Sequence, residues 1–386
     1  MDEKKDVTGE SSNTATNEKK GVKAKFNDFV EKKGKKKCII IGSATGACAL
    51  ALILGLSIGL GGCSNKNAKT TVDATTWKAR ADEISAKHES EDFKAPSKMR
   101  FDLSTSEKYE YSDNATFVRK DTGFFELDLD KLAYHSKGAY TYSASGSEGA
   151  ISSHAPSITE DVTDECWFWF DNVDSFYYVG QEIRGGKTTT KCAKYVATAE
   201  EISALKADPD SELYEMEDDV YDKFYDAFNK DLPYISRGAI SITAKELSCY
   251  MPLSYFYDAY YADLSTKGTA EISNGDYTGE YTKKSLDFYS SGSGNAEFDF
   301  VGTVDAEQKG YSAAATDEVT HAKGTYEVSV GYDNYNWTSY KIKDEMEVNL
   351  TFDLTRKDTL SMDYGVTFSP NISLPTPVDP LIITLN

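Results

Sequence analysis

Residues 166–197 read CWFWFDNVDSFYYVGQEIRGGKTTTKCAKYVA and carry the clearest structural pattern in the chain. Aromatic and β-branched side chains fill three runs, residues 166–170, 175–184 and 187–197, and turn-forming residues separate the runs. Gly185-Gly186 tolerates the positive φ angles of a two-residue type I′ turn. The segment is therefore predicted to form a three-stranded antiparallel meander.

The turn at Gly185-Gly186 also predicts the register of the meander. It places Cys192 opposite Val179, with Cys166 on the other side of that strand, near Val179 or Gly180. Both faces of such a sheet are apolar, so the second face needs a cover: a helix, an apolar ligand or a partner protein. One face is predicted to hold Cys166, Phe168, Phe170, Tyr177 and Val179. The other, taken as the candidate ligand-binding surface, is predicted to hold Trp167, Trp169, Phe176, Tyr178 and Tyr195.

The cysteine content of the body argues against a disulfide framework. The body contains Cys166, Cys192 and Cys249, and an odd number cannot pair completely. In the predicted register, Cys166 and Cys192 flank one strand at two strand spacings, about 9–10 Å apart. A disulfide needs Cα atoms within roughly 7 Å. We expect three unpaired thiols, most of them buried.

Three segments outside the meander have helical patterns. Residues 75–87 place apolar side chains on one face, with one of the first two threonines as the N-cap. Thr198-Ala199-Glu200-Glu201 is a capping box that begins a short helix. Residues 208–231 form an acidic segment with an apolar side chain at every fourth position from Val220, and Pro233 is expected to end this helix.

The other patterns are those of antiparallel strands. Ser273-Asn274-Gly275-Asp276 predicts a tight hairpin. Residues 347–355 are predicted to be one strand, with Val348, Leu350, Phe352 and Leu354 on one face. Further strands are predicted at residues 99–103, 124–129, 139–143, 325–330 and 381–383. Together the patterns predict about ten to twelve strands and three helices, an α+β fold that is mainly β.

The order of these elements is similar to that of the LolA-like half-barrel lipoproteins. In that family a large curved antiparallel sheet wraps helices around an apolar, lipid-accepting cavity. The resemblance implies a half-barrel-like sheet in residues 75–386, with ligand space between the sheet and the helix that contains Val220. Repeated βαβ alternation does not occur in the pattern, which disfavours the two-lobed α/β architecture of transporter solute-binding proteins.

Residues 32–62 have the pattern of an export segment. A lysine cluster, Lys32-Lys33-Gly34-Lys35-Lys36-Lys37, precedes the uncharged residues 38–62. An uncharged stretch of about 20 residues can span a bilayer as a helix, and basic flanks stay on the cytoplasmic side. Residues 1–31 are rich in polar and charged side chains and are predicted to be a disordered extension.

The end of this segment, Leu60-Gly61-Gly62-Cys63, resembles the lipobox of bacterial lipoproteins. In that family the cysteine thiol receives a diacylglycerol, and a peptidase then cuts before the cysteine. The resemblance implies that Cys63 is lipidated, that residues 63–74 are a linker and that residues 75–386 are an extracytoplasmic domain held at the cell membrane. The alternative is an uncleaved signal anchor, a single N-terminal helix that would hold the domain on the same side.

The charge distribution excludes nucleic acid as a partner. Residues 1–62 contain 11 Lys and 7 acidic residues, whereas the rest of the chain contains 31 basic and 56 acidic residues. Binding of phosphates needs clustered Lys and Arg, which an acidic body does not provide. The body also contains most of the 26 Tyr and 18 Phe of the chain, enough aromatic surface to build a core.

No sequence motif indicates a catalytic or metal site. The 4 His are scattered, and neither a nucleophile elbow nor a phosphate-binding loop occurs. Residues 208–219 begin like a calcium loop, but Leu213 stands where that loop requires Gly. We therefore expect no metal and no cofactor.

Three functions stay open at this stage. The first is a membrane-anchored extracytoplasmic lipoprotein that binds an apolar or amphiphilic ligand. The second is a cell-surface interaction protein or adhesin without a ligand cavity, which would use exposed tyrosines as contact area. The third is an extracytoplasmic hydrolase, which a pair of inward-pointing carboxylates in an open cleft would favour.

Overall fold

The computed structural model describes residues 70–146, 158–228, 243–249, 269–274, 277–308, 319–368 and 371–383. The predicted export segment and Cys63 lie outside these residues. Among the helices that the structure describes, none is both long enough and apolar enough to cross a bilayer.

The described chain consists mainly of long strands, with helices before and between them. In order, the elements are β1 (Thr70–Thr71), α1 (Ala74–Glu89), β2 (Lys98–Tyr111), β3 (Thr116–Asp128), β4 (Ala133–Ser145), β5 (Ile158–Phe170), β6 (Ser175–Arg184), β7 (Lys187–Val196), α2 (Ala199–Ala207), α3 (Pro209–Ala227), α4 (Ala244–Ser248), β8 (Thr269–Asn274), β9 (Tyr277–Ser290), β10 (Ala296–Gln308), β11 (Val319–Asp333), β12 (Asn336–Leu350), β13 (Thr355–Phe368) and β14 (Leu381–Ile383). The strands predicted from alternation all lie within these elements or within one residue of them, apart from the one at residues 347–355.

All the described strands belong to one large open sheet, curved like a half-barrel. The 14-stranded sheet has the order β1-β9-β10-β11-β12-β13-β2-β3-β4-β5-β6-β7-β14, and β8 pairs with β9 beside this path. Neighbouring strands are antiparallel except β14, which runs parallel to β7. The fold class is α+β and mainly β, as predicted, with more strands than expected.

Two blocks of consecutive hairpins form this sheet, and one long-range pairing joins them. Strands β2 to β7 follow one another along the chain, and so do β9 to β13. The blocks meet where β13 pairs with β2, from Arg356 opposite Tyr111 to Phe368 opposite Met99. We call this pairing the seam. It brings together residues that are 245 positions apart in the chain.

One apolar core lies on the face of the sheet that carries the helices, here called the inner face. Trp77 of α1 is fully buried, and its ring centroid lies 4.8 Å from that of Phe288 on β9. Val220 and Phe224 of α3 are also fully buried, and the ring of Phe224 lies 5.7 Å from that of Tyr178 on β6. The apolar faces predicted for these two helices are therefore confirmed, and both helices pack against the sheet.

The ends of the helices show which side chains cap them. Asp73 caps α1 by accepting a hydrogen bond from the backbone N–H of Thr76 at 2.9 Å, so the predicted threonine cap is wrong. A carboxylate is the stronger acceptor there, and negative charge is favoured at a helix N-terminus. The capping box of Thr198 and Glu201 in α2 is confirmed. Asp208 caps α3 through the N–H of Ser211.

Two predicted element boundaries are wrong. Helix α3 ends at Ala227 with Phe228 as its C-cap, before Pro233, because the backbone leaves helical geometry at Phe228. The strand predicted at residues 347–355 ends at Leu350. A 3₁₀ turn, Thr351–Asp353, follows it, and the positive φ of 56° at Asp353 turns the chain into β13. This turn contains no Gly or Pro, so the apolar alternation of the sequence runs through it.

Candidate functional site

The meander has its predicted strands, but its two faces are composed differently. Both glycines of the Gly185-Gly186 turn have positive φ, and Cys192 lies opposite Val179, as predicted. On the other side, Cys166 lies opposite Gly180 and Trp167 opposite Val179. Directly paired residues share a face of an antiparallel sheet. The register of β5 against β6 therefore differs by one residue from the predicted register, and the predicted assignment of side chains to the two faces is wrong.

The loop between β5 and β6 explains this shift. Its backbone has a positive φ of 61° at Asn172. The side chain of Asp171 accepts hydrogen bonds from the N–H groups of Val173, Asp174 and Ser175. This compact turn makes Phe170 the partner of Phe176. The sequence indicates a turn at this point, but it does not show how many residues of the turn stay outside the pairing of β5 with β6.

The predicted ligand-binding residues do not form one surface. Phe176, Tyr178 and Tyr195 are fully buried on the inner face, where they belong to the main core. The hydroxyl of Tyr195 donates to Glu201 of α2 at 3.0 Å. Trp167 and Trp169 lie on the opposite face, in a separate apolar cluster. The contact between Phe224 of α3 and Tyr178 lies in the space between sheet and helix in which the ligand was expected.

The C-terminal segment, residues 371–383, covers the outer face of the meander. Ile372 is 2% exposed and packs with Trp169, Val179 and Ala133. Lys131 donates through Nζ to the backbone oxygen of Ile372 at 2.6 Å. Strand β14 then pairs with β7. The cover is therefore not a helix, a ligand or a partner protein, as was expected, but a proline-rich part of the same chain. Proline has no backbone N–H, so such a segment can lie on a sheet face without donating hydrogen bonds to a ladder.

The three cysteines in the described part of the chain form no disulfide with one another, as predicted, although only one of them is buried where most were expected to be. Cys166 is buried, and Cys192 and Cys249 are half-buried. Cys166 and Cys192 lie on opposite faces of the meander, because their partners on β6 are adjacent residues. Burial raises the pKa of the Cys249 thiol to about 12, so this thiol is a poor nucleophile at neutral pH.

A depression of about 490 Å³ lies on the outer face, across β13, β2, β3 and β4. The guanidinium of Arg100 lies 3.9 Å from the ring centroid of Phe124, and it pairs with Asp102 at 2.8 Å. Lys137 pairs with Glu165 at 2.6 Å. Both of these cations of the depression thus have carboxylate partners.

The inner face contains a cluster of charged side chains, and this is the strongest candidate for a functional site. On the inner face, the register of β12, β13, β2 and β3 aligns Asp344, Leu360, Glu107 and Arg119 in one row. Further charged residues lie in the neighbouring rows of the same face. We call the whole set the inner charged cluster: Glu107, Arg119, Asp121, Asp344, Arg356 and Asp358.

Both arginines of the inner charged cluster have carboxylate partners. Arg356 and Asp358 form a bidentate pair at 2.5 and 2.8 Å, and both side chains are almost completely buried. The guanidinium of Arg356 also lies 4.7 Å from the ring centroid of Tyr109. Arg119 pairs with Asp121 at 2.8 Å. Such pairs compensate much of the cost of burying their charges.

Two carboxylates of the cluster lack hydrogen bonds on one oxygen. Asp344 is 5% exposed and Glu107 is 8% exposed, and the structure gives Oδ1 of Asp344 and Oε2 of Glu107 no partner among the residues it describes. Burial raises the pKa of Asp344 to about 7, and the charge of Asp358 adds to this effect. Burial also raises the pKa of Glu107, against the opposing charge of Arg119. A buried carboxylate oxygen without a hydrogen bond is destabilising, so this arrangement calls for an explanation.

Half-buried apolar and aromatic side chains lie beside the cluster on the same face. Phe101 and Tyr364 are in contact across the seam, with ring centroids 5.6 Å apart. Leu103 and Met362 follow them on β2 and β13, one step closer to the charged residues. Phe117 stacks on Tyr109 at 5.3 Å on the far side. We call Phe101, Leu103, Met362 and Tyr364 the inner apolar strip.

Sequence reasoning missed the inner charged cluster because acidic residues are frequent throughout the chain. The signal that could have revealed it is strand phase. The inward positions of β12 carry Tyr340, Ile342, Asp344, Met346 and Val348. Asp344 is thus the one charged residue within this apolar alternation. In the described ranges, no group of three or more His, Cys, Asp or Glu side chains could hold a metal ion.

Comparison with known proteins finds no family for this chain. No family model matches it, and no curated protein does. Among solved structures, an outer membrane channel from Pseudomonas putida F1 is 6% identical, with 71% of this chain and 97% of that chain covered, at a TM-score of 0.20. A β-barrel-like protein of a domain of unknown function from Brucella abortus is also 6% identical, with 72% and 100% covered, at a TM-score of 0.20. Similarity at this level assigns neither a family nor an activity.

Proposed function

We propose that this chain is a membrane-anchored extracytoplasmic binding protein whose half-barrel binds an amphiphilic ligand on its inner face. The lipobox-like sequence Leu60-Gly61-Gly62-Cys63 supports the anchor, and the lysine cluster at residues 32–37 supports an extracytoplasmic position of the body. The observation that carries the binding proposal is the inner apolar strip beside the inner charged cluster. The apolar end of an amphiphile would contact the inner apolar strip, and its polar end would contact the inner charged cluster.

The composition of this inner surface suits a binding site. Ligand sites in proteins are mostly apolar, with a few polar groups that orient the ligand. The four side chains of the inner apolar strip are half-buried rather than buried, although they point to the side of the sheet that carries the core. They therefore keep apolar surface that an alkyl chain could remove from water, at about 25 cal/mol per Å².

The same cluster supports binding better than hydrolysis. Asp344 and Asp358 are the inward-pointing carboxylates that the hydrolase alternative needs. Both are buried, at 5% and 3% exposure, and Asp358 is held by Arg356 through two hydrogen bonds. A general acid and a general base must both reach the substrate. Arg356 occupies both oxygens of Asp358, so within the described residues only Asp344 of this pair keeps an oxygen without a partner, and one such carboxylate does not supply both roles.

A second candidate function, a surface interaction protein, is supported by the edge of the sheet at β14. Apolar side chains are exposed there on β7, on β14 and in the segment just before β14: Val196 at 46%, Val378 at 71%, Leu381 at 42% and Ile382 at 57%. An edge strand with apolar side chains can pair with a further strand of another chain. Ile382→Lys is expected to weaken such pairing without affecting a ligand on the inner face.

The anchor and the ligand can be tested separately. Cells treated with globomycin should accumulate a longer polypeptide, because globomycin blocks the peptidase that cuts before a lipidated cysteine. Protease added outside intact cells should degrade residues 75–386. An unchanged polypeptide together with complete protection from protease would contradict the anchored, outward-facing arrangement.

Native mass spectrometry of the purified full chain tests the ligand. We expect a bound amphiphile that is lost in Leu103→Gln, because the substitution places an amide in the inner apolar strip. Ser104→Gln is the matched control, since Ser104 is the next residue of β2 and is exposed on the outer face. Equal retention of the amphiphile by both variants would locate it elsewhere and refute the inner-face proposal.

A further inference from the structure

We infer that the polar end of the ligand is a protonated primary amine held by Asp344 and Glu107. This inference rests on the proposed function and specifies the ligand of the same site. Its basis is the charge balance of the inner charged cluster, the two oxygen atoms without partners and the apolar surface between and beside them.

The charge balance points to a cation. Arg356 is paired with Asp358, and Arg119 is paired with Asp121, so these four residues form two neutral pairs. Arg119 also attracts Glu107, so the cluster as a whole holds four carboxylates against two guanidinium groups, and Asp344 and Glu107 each keep one carboxylate oxygen that has no hydrogen bond within the described ranges. Buried charges in proteins are normally paired with an opposite charge. A ligand with a positive group would complete the cluster.

The donor requirement distinguishes between kinds of cation. A primary ammonium group has three N–H donors on a single compact charge, and two of them could serve the two carboxylates. A quaternary ammonium has the charge but no donor. A metal ion is a poorer fit, because the described residues offer no group of three ligating side chains.

The positions of Asp344 and Glu107 allow one group to lie between them. They flank Leu360 of β13 in a single row of the inner face, two strand spacings apart, about 9–10 Å between backbones. Leu360 is 8% exposed and forms an apolar floor between them.

The surroundings indicate how an alkyl amine would lie. Met362 follows Leu360 on the same face of β13, and its cross-strand partner Thr105 precedes Glu107 on β2. The inner apolar strip therefore begins directly beside the carboxylates. Arg119 and Asp121 lie on the more open side, at 27% and 22% exposure. An ammonium between the carboxylates would direct its alkyl chain over Met362 and Leu103.

The test compares probes that share one alkyl chain. The full chain in lipid nanodiscs is titrated by calorimetry with hexylamine, hexan-1-ol and hexyltrimethylammonium, and empty nanodiscs provide the blank. We expect hexylamine to bind at least about tenfold more tightly than hexan-1-ol, because its hydrogen bonds to the two carboxylates join oppositely charged groups. Hexyltrimethylammonium should bind more weakly than hexylamine, because it has no N–H donor.

Two isosteric variants locate the effect. Asp344→Asn and Glu107→Gln should each weaken hexylamine binding about tenfold and leave hexan-1-ol binding unchanged. Asp363→Asn on the outer face is the matched control and should leave the affinity for both probes unchanged. Circular dichroism checks that each variant is folded, and the second variant keeps the test decisive if the first does not fold.

The outcomes separate this inference from the proposed function. Equal affinity for hexylamine and hexan-1-ol in the wild type would overturn the ammonium site and leave the amphiphile proposal standing. Hexylamine binding that neither Asp344→Asn nor Glu107→Gln weakens would also overturn the ammonium site. Failure of every probe to bind would overturn both.

Discussion

Substitution of Asp344 by Asn is expected to stabilise the protein at alkaline pH. Asp344 is buried, and its pKa in the folded protein is raised from 3.8 to about 7, first by burial and then by the charge of Asp358. Each pH unit of difference corresponds to 1.36 kcal/mol, so ionised Asp344 destabilises the folded state by about 4 kcal/mol. Asn keeps the shape of the protonated carboxyl group and cannot ionise.

The sign of the pH dependence follows from the two protonation states. Below pH 3.8 the carboxyl group is neutral in both the folded and the unfolded chain, so it contributes no penalty. As the pH rises towards about 7, the unfolded chain ionises first, and stability is lost across this window. The advantage of Asp344→Asn over the wild type should therefore be about 1–2 kcal/mol at pH 5 and about 4 kcal/mol at pH 8.

Urea unfolding followed by tryptophan fluorescence measures this difference in a chain that begins at Ser64. Glu345→Gln is the matched control, because Glu345 is the next residue of β12, faces outwards, and has its pKa lowered by the hydrogen bond from Lys343. That variant should gain no stability at pH 8. If the advantage of Asp344→Asn were the same at pH 5 and pH 8, or shrank as the pH rose, the assignment of Asp344 as a buried unpaired acid would be wrong.

Three further substitutions test local features by urea unfolding and hydrogen exchange. Thr198→Ala removes one half of the capping box of α2 and should lower the free energy of unfolding by about 1 kcal/mol, whereas Thr198→Ser should not. Gly186→Val places a β-branched residue at a φ of 76° and should lower it by about 1–2 kcal/mol, with Gly186→Asn tolerated better. Ile372→Ala removes the buried contact with Trp169 and should speed hydrogen exchange in residues 371–383. Unchanged exchange there would show that Ile372 does not hold this segment on the sheet.

Local chemistry made much of the fold predictable. The Gly185-Gly186 turn predicted the hairpin and placed Cys192 opposite Val179, because positive φ at two successive positions is needed for few other structures. The capping box of Thr198 and Glu201 predicted the start of α2 for a similar reason. In both places a short sequence specifies a single geometry, and the class of the fold follows from the number of such strand and turn signals.

Features that depend on distant contacts were not predictable in the same way. The faces of β5 and β6 were assigned wrongly because one compact turn at Asn172 shifts the pairing by one residue, and a one-residue shift moves every side chain to the opposite face. The cover of Trp169 by Ile372 joins positions that are far apart in the chain. No local pattern indicates which apolar segment will lie on which face.

The candidate site could not be predicted from the sequence, for a different physical reason. Glu107 and Asp344 are 237 positions apart in the chain, and their shared row exists only because β13 lies between their strands. Neither residue has a motif around it. The phase of Asp344 within β12 marks it as unusual, whereas its relation to Glu107 needs the complete strand order.

The seam also determines when the inner face of the sheet can be formed. Hairpins between consecutive strands close short loops, whereas β13 and β2 must close a loop of about 250 residues, which loses more chain entropy before any contact compensates for it. The two blocks of the sheet should therefore assemble first and independently, and dock last. The contact between the guanidinium of Arg356 and the ring of Tyr109 crosses the seam. In a chain whose two blocks have folded but not yet paired, the residues of the candidate site would therefore lie on two separate sheet edges. Ligand binding would then require the completely folded sheet.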